Sequence, residues 1–401
     1  MKLRKILAFI LCAGIITASF SACENNAATD DTTADTTTQA EAVVETNTAI
    51  SGEIRDISSM ELISELVAGW NLGNTLDATG GSGLSSETSW GNPVTTKEMM
   101  DTVKAAGFNI IRIPITWARH LDINDEIDPA WLDRVQEVVN YTIDENTYVI
   151  INLHHEEWNN TFIEKKDETV EKIKKVWSQI AERFKDYDEH LIFEGQNEPR
   201  KKGTNLEWSG GDDECWEFVN ATNMAFVETV RNSGGNNAMR HLMIPGYCAT
   251  SDPIGPTKIQ LPENDNKIIV SVHAYTPYSF ALSDTPSSKF SSTRKGATRD
   301  IDSLAEMLKT SYIDNDIAVI IGETGARNKD NLESRVDWAG YYTATMRKAG
   351  ITCIWWDNGS VNGNGENFGL LDRHNCTWHF PEVMEAFIKG AKGELTFEES
   401  K

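Results

Sequence analysis

Tyr148-Val-Ile-Ile-Asn-Leu-His154 is an almost continuous apolar run, and a second run, His190-Leu-Ile-Phe-Glu-Gly-Gln196, follows it after an amphipathic stretch over residues 168–187. Short apolar runs of this kind are typical of strands that are buried on both faces of a parallel sheet. An amphipathic helix is the usual crossover between two parallel strands. Residues 148–196 therefore predict a strand–helix–strand unit.

The same alternation extends in both directions along the chain. The predicted strands are Val67–Asn74, Asn109–Ile115, Tyr148–His154, His190–Gln196, His241–Tyr247, Lys267–Tyr275, Ala318–Glu323 and Thr352–Asp357. The predicted helices are Thr96–Ala106, Pro129–Asn146, Glu168–Tyr187, Trp216–Asn232, Ile301–Asp314, Arg335–Lys348 and Pro381–Lys392. Proline-rich sequence predicts a short helix or none after the fifth strand. Such alternation predicts an α/β fold, a (β/α)₈ TIM barrel that forms a single domain over residues 51–395, followed by a tail at 396–401.

Local signals mark several predicted helix ends. Asp128-Pro129 places an N-cap residue before proline at the first helical position, and Gly107 follows its helix as a C-cap residue does. Thr95 and Glu98 have the spacing of a capping box. These signals support the predicted boundaries of the helices.

The first 22 residues have the features of an export leader. A basic start is followed by an apolar run over residues 6–20, and then by Ser21-Ala22-Cys23, which resembles a bacterial lipobox. Residues 23–50 are rich in Thr, Ala, Asp and Glu and predict a flexible linker. We therefore expect a secreted or cell-surface protein, lipid-anchored at Cys23 to the outer face of a bacterial membrane. Secretion without lipid is the alternative.

Composition restricts the partners of the folded part. The formal net charge of the 401 residues is −24, and such an acidic surface repels nucleic acid and other polyanions. The chain contains 12 tryptophans, whose rings can stack on the apolar faces of sugars as well as fill a core. Four cysteines of the folded part, Cys215, Cys248, Cys353 and Cys376, are widely spaced, and we expect buried free thiols. Neutral polymers are therefore the expected partners.

Polar residues stand at the carboxyl ends of most predicted strands. In a (β/α)₈ barrel these ends meet at one face, where the reacting groups of such enzymes lie. Glu198 follows the fourth strand and Glu323 ends the seventh, so we expect their side chains to face one another. Two carboxylates about 5 to 5.5 Å apart have the arrangement that hydrolyses a glycosidic bond with retention of configuration.

Several motifs in order resemble those of one known family. They are Trp70-Asn-Leu-Gly-Asn-Thr-Leu76, Ser89-Trp-Gly-Asn-Pro93, Ile111-Arg-Ile-Pro114, Asn152-Leu-His-His-Glu156, Phe193-Glu-Gly-Gln-Asn-Glu-Pro199, His273-Ala-Tyr275, Gly322-Glu-Thr-Gly325 and Trp355-Trp-Asp-Asn358. Together they resemble glycoside hydrolase family 5 and are most similar to its endoglucanase and xyloglucanase branch, subfamily 4. The resemblance spans residues 69–380 and covers almost the whole predicted domain.

The resemblance implies a role for each matched residue. Glu198 is the general acid/base and Glu323 the nucleophile, whose ionised form Arg112 favours. Asn197 hydrogen-bonds the sugar 2-hydroxyl, and Tyr275 hydrogen-bonds Glu323. Because the acid must hold a proton, we expect burial and the charge of Glu323 to raise the pKa of Glu198.

Further residues match the surroundings of the bound sugar. His154 and His273 belong to the polar shell of the site, and Trp356 is the aromatic platform under the cleaved sugar. Because side chains alternate along a strand, the Trp355 side chain should point away from that of Trp356, and we expect it in the core. The roles of His155, Trp90, Trp117, Trp158 and Trp208 remain open between sugar contact and ordinary packing.

No metal or cofactor is expected. His154 and His155 are adjacent on a predicted strand, so their side chains should point to opposite faces and cannot bind one ion. The acidic segment Asp122–Asp128 lacks the glycine and closing glutamate of a calcium loop, and no glycine-rich phosphate loop follows a strand.

The sequence therefore predicts an endo-acting retaining β-1,4-glucanase that cleaves cellulose-like and related plant cell-wall β-glucans as a monomer. A xyloglucan-specific or mixed-linkage β-glucanase is the first alternative, followed by a mannanase. A protein of a different class, a catalytically silent lipoprotein that binds glycans at the cell surface, is the remaining alternative. The presence of both glutamates argues against the silent protein, because binding alone requires no nucleophile.

Overall fold

Eight parallel strands form a closed barrel at the centre of the folded domain. The structure is a computed structural model, which describes residues 52–284, 287–363 and 365–397. Its strands are β1 Gly69–Leu72, β2 Ile110–Ile113, β3 Tyr148–Asn152, β4 Leu191–Glu194, β5 Leu242–Pro245, β6 Ile268–His273, β7 Ala318–Thr324 and β8 Thr352–Asp357. Each strand pairs with the next, and β8 closes the barrel on β1. The predicted (β/α)₈ fold is confirmed. The predicted leader, linker and Cys23 lie outside the described residues.

The helices surround the barrel. They are α1 Ser59–Glu65, α2 Lys97–Ala106, α3 Pro129–Thr142, α4 Lys166–Arg183, α5 Asp213–Arg231, α6 Gly255–Lys258, α7 Tyr278–Ala281, α8 Arg299–Ser311, α9 Leu332–Lys348 and α10 Pro381–Ala391. A short hairpin of β9 Leu371–Asp372 and β10 Thr377–Trp378 follows β8. As predicted, the helix after the fifth strand, α6, is very short. No helix within the described residues has the length and apolar character needed to cross a membrane.

Two of the predicted helix ends are confirmed and one is wrong by a residue. The Asp128 side chain accepts from the Ala130 N–H at the start of α3, and Gly107 ends α2 with a φ of 107°. At the start of α2, however, Thr96 is the N-cap and accepts from the Met99 N–H. The capping box predicted from Thr95 does not form, because the carboxylate of Glu87 accepts from the Thr95 N–H instead.

An apolar layer closes the amino-terminal end of the barrel. Inward-pointing residues of the strands form this layer with Leu62 and Ile63 of α1 and with Leu66, which directly follows α1. The strand residues include Ile110, Ile150, Ile192, Met243, Ile269, Ile320 and Ile354. At the next inward position of these strands, two residues further along, the side chains become polar, as in Arg112 and Glu194. Polar side chains therefore line the carboxyl end of the barrel, the face at which the sites of this fold lie.

The four cysteines are free thiols, as expected, but the expected burial holds for three of them and not for Cys376. Cys215, Cys248 and Cys353 are buried and Cys376 is half-buried, and all four are unbridged. Burial raises the pKa of each of these thiols, which keeps them protonated and unreactive at neutral pH.

Close contact between α9 and α10 gives a test of the packing. A Cβ at Gly390 would lie 2.2 Å from Thr343 Oγ1 and 2.5 Å from the Gly340 carbonyl oxygen. We expect Gly390→Ala to lower the free energy of unfolding by about 1–2 kcal/mol, because overpacking outweighs the better helix propensity of alanine. Lys389→Ala, on the exposed side of the same helix, is the control and should change it by less than about 0.5 kcal/mol. Denaturant unfolding measures both, and equal stabilities of the two variants would contradict the packing argument.

Candidate active site

Arg112 lies at the centre of the polar layer and is fully buried. Its Nη1 donates to Glu323 Oε1 at 2.9 Å and to Asn71 Oδ1 at 3.0 Å. Its Nε donates to Glu194 Oε2 and its Nη2 to Asn197 Oδ1, both at 2.7 Å. One guanidinium therefore links β1, β2 and β7 to β4 and the loop that follows it.

Glu323 reaches the barrel interior through an irregularity in β7. Before this point, Ala318 and Ile320 point into the barrel, while Val319 and Ile321 pack outward against the helices. Regular alternation would send Glu323 outward with them. The pairing with β6 instead shifts by one residue, so that Glu323 stands opposite His273. The extra residue of this bulge turns the carboxylate into the site.

Two donors hold the Glu323 carboxylate once it is inside. Arg112 binds Oε1, and the hydroxyl of Tyr275 donates to Oε2 at 3.0 Å. The expected contacts of Arg112 and Tyr275 with Glu323 are thus present. Asn71 supports the same point, because its amide nitrogen donates to the carbonyl oxygen of Gly322 within the bulge.

Glu198 approaches Glu323 from the loop after β4. Nδ1 of His273 lies 2.8 Å from Glu198 Oε1 and 3.6 Å from Glu323 Oε2, so the imidazole stands between the two carboxylates. One oxygen of Glu198 and one of Glu323 lie within 4.8 Å of each other. The two carboxyl groups are therefore near neighbours, as the retaining arrangement requires.

The pKa expected for Glu198 is wrong for the protein without substrate. Burial by itself would raise the pKa of Glu198, but the hydrogen bond and charge of His273, aided by Arg200 and Arg112, hold it below its ordinary value. Burial raises the pKa of Glu323 above its ordinary value, although His273 and Arg112 oppose the rise. The expectation failed because the sequence did not show that the imidazole of His273 contacts the acid.

The Asn197 side chain has a fixed orientation. Its Oδ1 accepts from Arg112, so its amide N–H groups are left to face the site. A donor here suits a sugar 2-hydroxyl whose hydrogen bond strengthens as the transition state forms. The orientation of Asn197 is compatible with the expected contact to the sugar 2-hydroxyl, which stays a prediction.

His154 and Trp356 form one wall of the site. Their rings are nearly parallel, with an angle of 5° between the planes and 5.7 Å between the centroids. Burial lowers the pKa of His154, which keeps the ring neutral. Trp355 is fully buried and donates to the Phe368 carbonyl oxygen, so its expected place in the core is confirmed.

Exposure to solvent distinguishes the tryptophans that pack in the core from those that can contact a sugar. Trp117 is fully buried and donates to the Asn152 carbonyl oxygen, which makes it a core residue. Trp158 is half-buried against the core. Trp90 is 42% exposed beside His155, and Trp208 is 62% exposed, so these two can meet a ligand.

The predicted divergence of His154 and His155 is wrong. Their Nε2 atoms lie 4.0 and 3.8 Å from Asp77 Oδ2, because β3 ends at Asn152 and alternation stops there. A metal ion is still disfavoured, since the Asn152 amide donates to His154 Nδ1 and leaves the ring proton on Nε2. The amide cannot turn over, because its oxygen accepts from Ile115 N–H and its nitrogen also donates to Glu194.

Several residues that support the site were not predicted from the sequence. Glu194 accepts from Arg112, Asn152 and Ser271 and balances the buried guanidinium. Arg200 contacts the acid itself. Glu194 and Asn152 belong to the quoted motifs and occupy inward positions of their strands. Side-chain alternation along each strand was therefore the signal that could have placed them in the site.

A cavity of about 280 Å³ opens beside Glu198. Its walls come from the loops after β1, β3 and β4 and include Trp90, His155, Asn160, Asn197 and Arg200. The face therefore offers space for more than the sugar at the two carboxylates.

Comparison with known sequences finds one family. Residues 72–362 match the family described as cellulase (glycosyl hydrolase family 5). The chain is 51% identical to Endoglucanase B of Ruminococcus albus over 340 residues, which are 84% of this chain and 82% of that protein. It is 48% identical to Endoglucanase 1 of the same organism over 373 residues, 92% of this chain and 88% of the relative.

Solved structures agree with the sequence relatives. A GH5-4 broad specificity endoglucanase from Ruminococcus champanellensis with bound cellotriose is 44% identical, with a TM-score of 0.81 over 84% of this chain and 100% of that chain. A GH5 lichenase from Caldicellulosiruptor sp. F32 is 42% identical, with a TM-score of 0.79 over 85% of this chain and 97% of that chain. With the barrel, the motifs and these matches in agreement, the chain belongs to glycoside hydrolase family 5.

Proposed function

We propose that this protein is an endo-acting retaining β-1,4-glucanase that hydrolyses cellulose-like and related plant cell-wall β-glucans. The observation that carries the proposal is the facing pair of Glu198 and Glu323, with oxygens within 4.8 Å of each other. Endoglucanase relatives of similar length and a neighbour with bound cellotriose support a β-glucan substrate. Since one chain contributes both carboxylates and their supporting residues, a monomer suffices for the activity.

The reaction proceeds in two balanced steps. Glu323 attacks the anomeric carbon while the bond to the leaving oxygen breaks, and that oxygen takes the proton of Glu198. Glu198, now a carboxylate, removes a proton from water as the water oxygen attacks the same carbon and the bond to Glu323 breaks. Arg112 and Tyr275 contact Glu323 in its ionised form and position it for attack.

The protonation of Glu198 must change during the cycle. A bound sugar covers the site and removes solvent, which strengthens the burial that favours the protonated acid. When the covalent intermediate forms, Glu323 becomes neutral and its repulsion of the Glu198 carboxylate disappears. The pKa of Glu198 then falls, and the same group serves as the base.

Exposed aromatic rings at the mouth of the barrel support an extended substrate. Trp90 and Trp208 are 42% and 62% exposed on the loops after β1 and β4, and Tyr278, the first residue of α7 after β6, is 66% exposed. Similar structures include a xyloglucan-specific endo-β-1,4-glucanase and a lichenase. Xyloglucan and mixed-linkage glucan are therefore the first alternative substrates, ahead of mannan. The complete shell around both carboxylates argues against a silent binding protein.

Substrate comparison tests the proposal. We expect wild-type protein to release reducing sugar from one or more of carboxymethylcellulose, mixed-linkage glucan, xyloglucan and glucomannan. Glu323→Ala removes the nucleophile and should abolish release from all of them with the fold intact. The control is Glu189→Gln, a buried glutamate at the opposite end of the barrel, which should remain active. Binding of the polymers without cleavage by wild type would favour the silent protein.

The effect of removing the acid on the rate of hydrolysis should depend on the leaving group. We expect Glu198→Ala to slow the hydrolysis of polymers by about 10²–10⁴-fold, the usual contribution of acid catalysis. An aryl glycoside whose phenolate leaves without a proton should form the intermediate at a nearly unchanged rate. Burst kinetics measure this first step, and an equal loss for both kinds of substrate would contradict the acid role of Glu198.

We also propose export and lipid attachment at Cys23, on the basis of the leader, the lipobox-like Ser21-Ala22-Cys23 and the polar linker. In a bacterial host, wild type should incorporate labelled palmitate and sediment with membranes. Cys23→Ala removes the acylated thiol and should abolish the label. Label-free wild type in the culture medium would instead support secretion without lipid.

A further inference from the structure

Arg200 contacts the acid/base Glu198, although no role has been assigned to it. Its Nη1 donates to the Glu198 carbonyl oxygen at 3.1 Å and lies 3.4 Å from Glu198 Oε2. Its Nε donates to Glu207 Oε1 at 3.2 Å. Within the described part of the chain, Arg200 is the one arginine or lysine that contacts the Glu198 carboxylate.

The same guanidinium stacks on Trp208. The central carbon of the guanidinium lies 4.4 Å from the centroid of the ring, a distance at which a cation is attracted to an indole face. Trp208 nevertheless remains 62% exposed. Its accessible surface is flat and apolar, which suits stacking against a pyranose ring.

The loop that carries Arg200 and Trp208 is anchored at several points. The Glu207 carboxylate accepts from the Gly203 N–H at 2.8 Å, and the Glu207 carbonyl oxygen accepts from the Cys248 thiol at 3.0 Å. The Tyr247 hydroxyl donates to the Leu206 carbonyl oxygen at 2.8 Å. Arg200 therefore lies between a fixed glutamate on one side and the acid on the other.

We propose that Arg200 is a positioning residue that joins the acid/base Glu198 to the stacking surface of Trp208. The leaving sugar must lie next to Glu198, because Glu198 protonates its oxygen. A sugar on Trp208 and the proton donor are then held by one connected unit. This inference rests on the proposed function and adds the residue that links binding of the leaving sugar to its protonation.

Arg200 also acts on Glu198 by charge. The titratable or charged groups that act on Glu198 come from several elements: Arg112 on β2, His155 after β3, Cys248 after β5, His273 on β6, Tyr275 after β6, Glu323 on β7 and Glu366 after β8. Arg112 is already bound to Glu194 and Glu323. Loss of Arg200 removes the permanent cation in direct contact, so the pKa of Glu198 should rise.

Two aryl β-cellotriosides separate positioning from a general structural effect. Phenol needs protonation to leave, whereas 2,4-dinitrophenolate does not. We expect Arg200→Gln to lower kcat/KM for the phenyl substrate by about tenfold, a part of the usual contribution of acid catalysis, with little change for the dinitrophenyl substrate. The alkaline limb of the phenyl pH profile should move to higher pH, because the acid keeps its proton longer. Arg200→Lys retains the charge and should restore the limb.

The stacking part of the proposal has its own measurement. Trp208→Ala should lower kcat/KM for cellohexaose, whose leaving group is a sugar, by about fivefold to tenfold, as expected for one lost aromatic contact. The dinitrophenyl substrate should react as with wild type, because its leaving group does not reach a sugar site. An equal loss for both substrates would overturn the assignment of Trp208.

Arg231→Gln is the matched control. Arg231 is 18% exposed against 20% for Arg200 and pairs with Asp265, at the opposite end of the barrel. It should change neither the ratio of the two aryl substrates nor the pH limb. If Arg200→Gln slows both aryl substrates equally with an unmoved limb, or has no effect, the role of Arg200 is overturned. If wild type cleaves neither aryl substrate and no polymer, the proposed function itself fails.

Discussion

The buried positive charge of Arg112 is the constraint on which the site depends. An isolated charge at this depth is costly, and its cost is offset only when each N–H finds an acceptor and a carboxylate lies nearby. Glu194 supplies the permanent partner, while Asn71, Asn197 and Glu323 take the remaining donors. Because these acceptors come from four different parts of the barrel, satisfying one guanidinium also fixes the positions of the nucleophile and of a substrate-binding amide.

The rest of the barrel provides the apolar surroundings in which the contacts of this polar cluster are strong. A layer of isoleucines and α1 close the amino-terminal end and separate the polar cluster from solvent on that side. The low polarizability of the surroundings strengthens each electrostatic contact in the cluster. It also explains why the titration of Glu198 and Glu323 is shared with His273: His273 and Glu323 are buried, Glu198 is 18% exposed, and the three groups lie within a few ångströms of one another, so they cannot hold or release protons independently.

The two carboxylates differ in the elements that hold them. Glu323 is bound by Arg112 and Tyr275, and its bulge is tied to Asn71, so its position is set by the sheet. Glu198 stands on a loop, where its contacts are His273 and the proposed positioning residue Arg200. A nucleophile held by the sheet and an acid held by loop contacts agree with their tasks, since the acid must serve two different oxygens during the cycle.

The strand–helix alternation, the (β/α)₈ barrel and the residues that meet at its open face were predictable from the sequence, because short apolar runs mark the strands and polar residues follow their ends. Tertiary structure alone decided the bulge that turns Glu323 inward, the approach of His154 and His155 to one aspartate, and the place of His273 between the carboxylates. Each of these depends on pairing register or on the chain beyond a strand end. Side-chain alternation along a single strand carries no information about either. For the same reason the sequence could not distinguish Trp117 from Trp208, which differ in burial, because burial depends on contacts between distant parts of the chain.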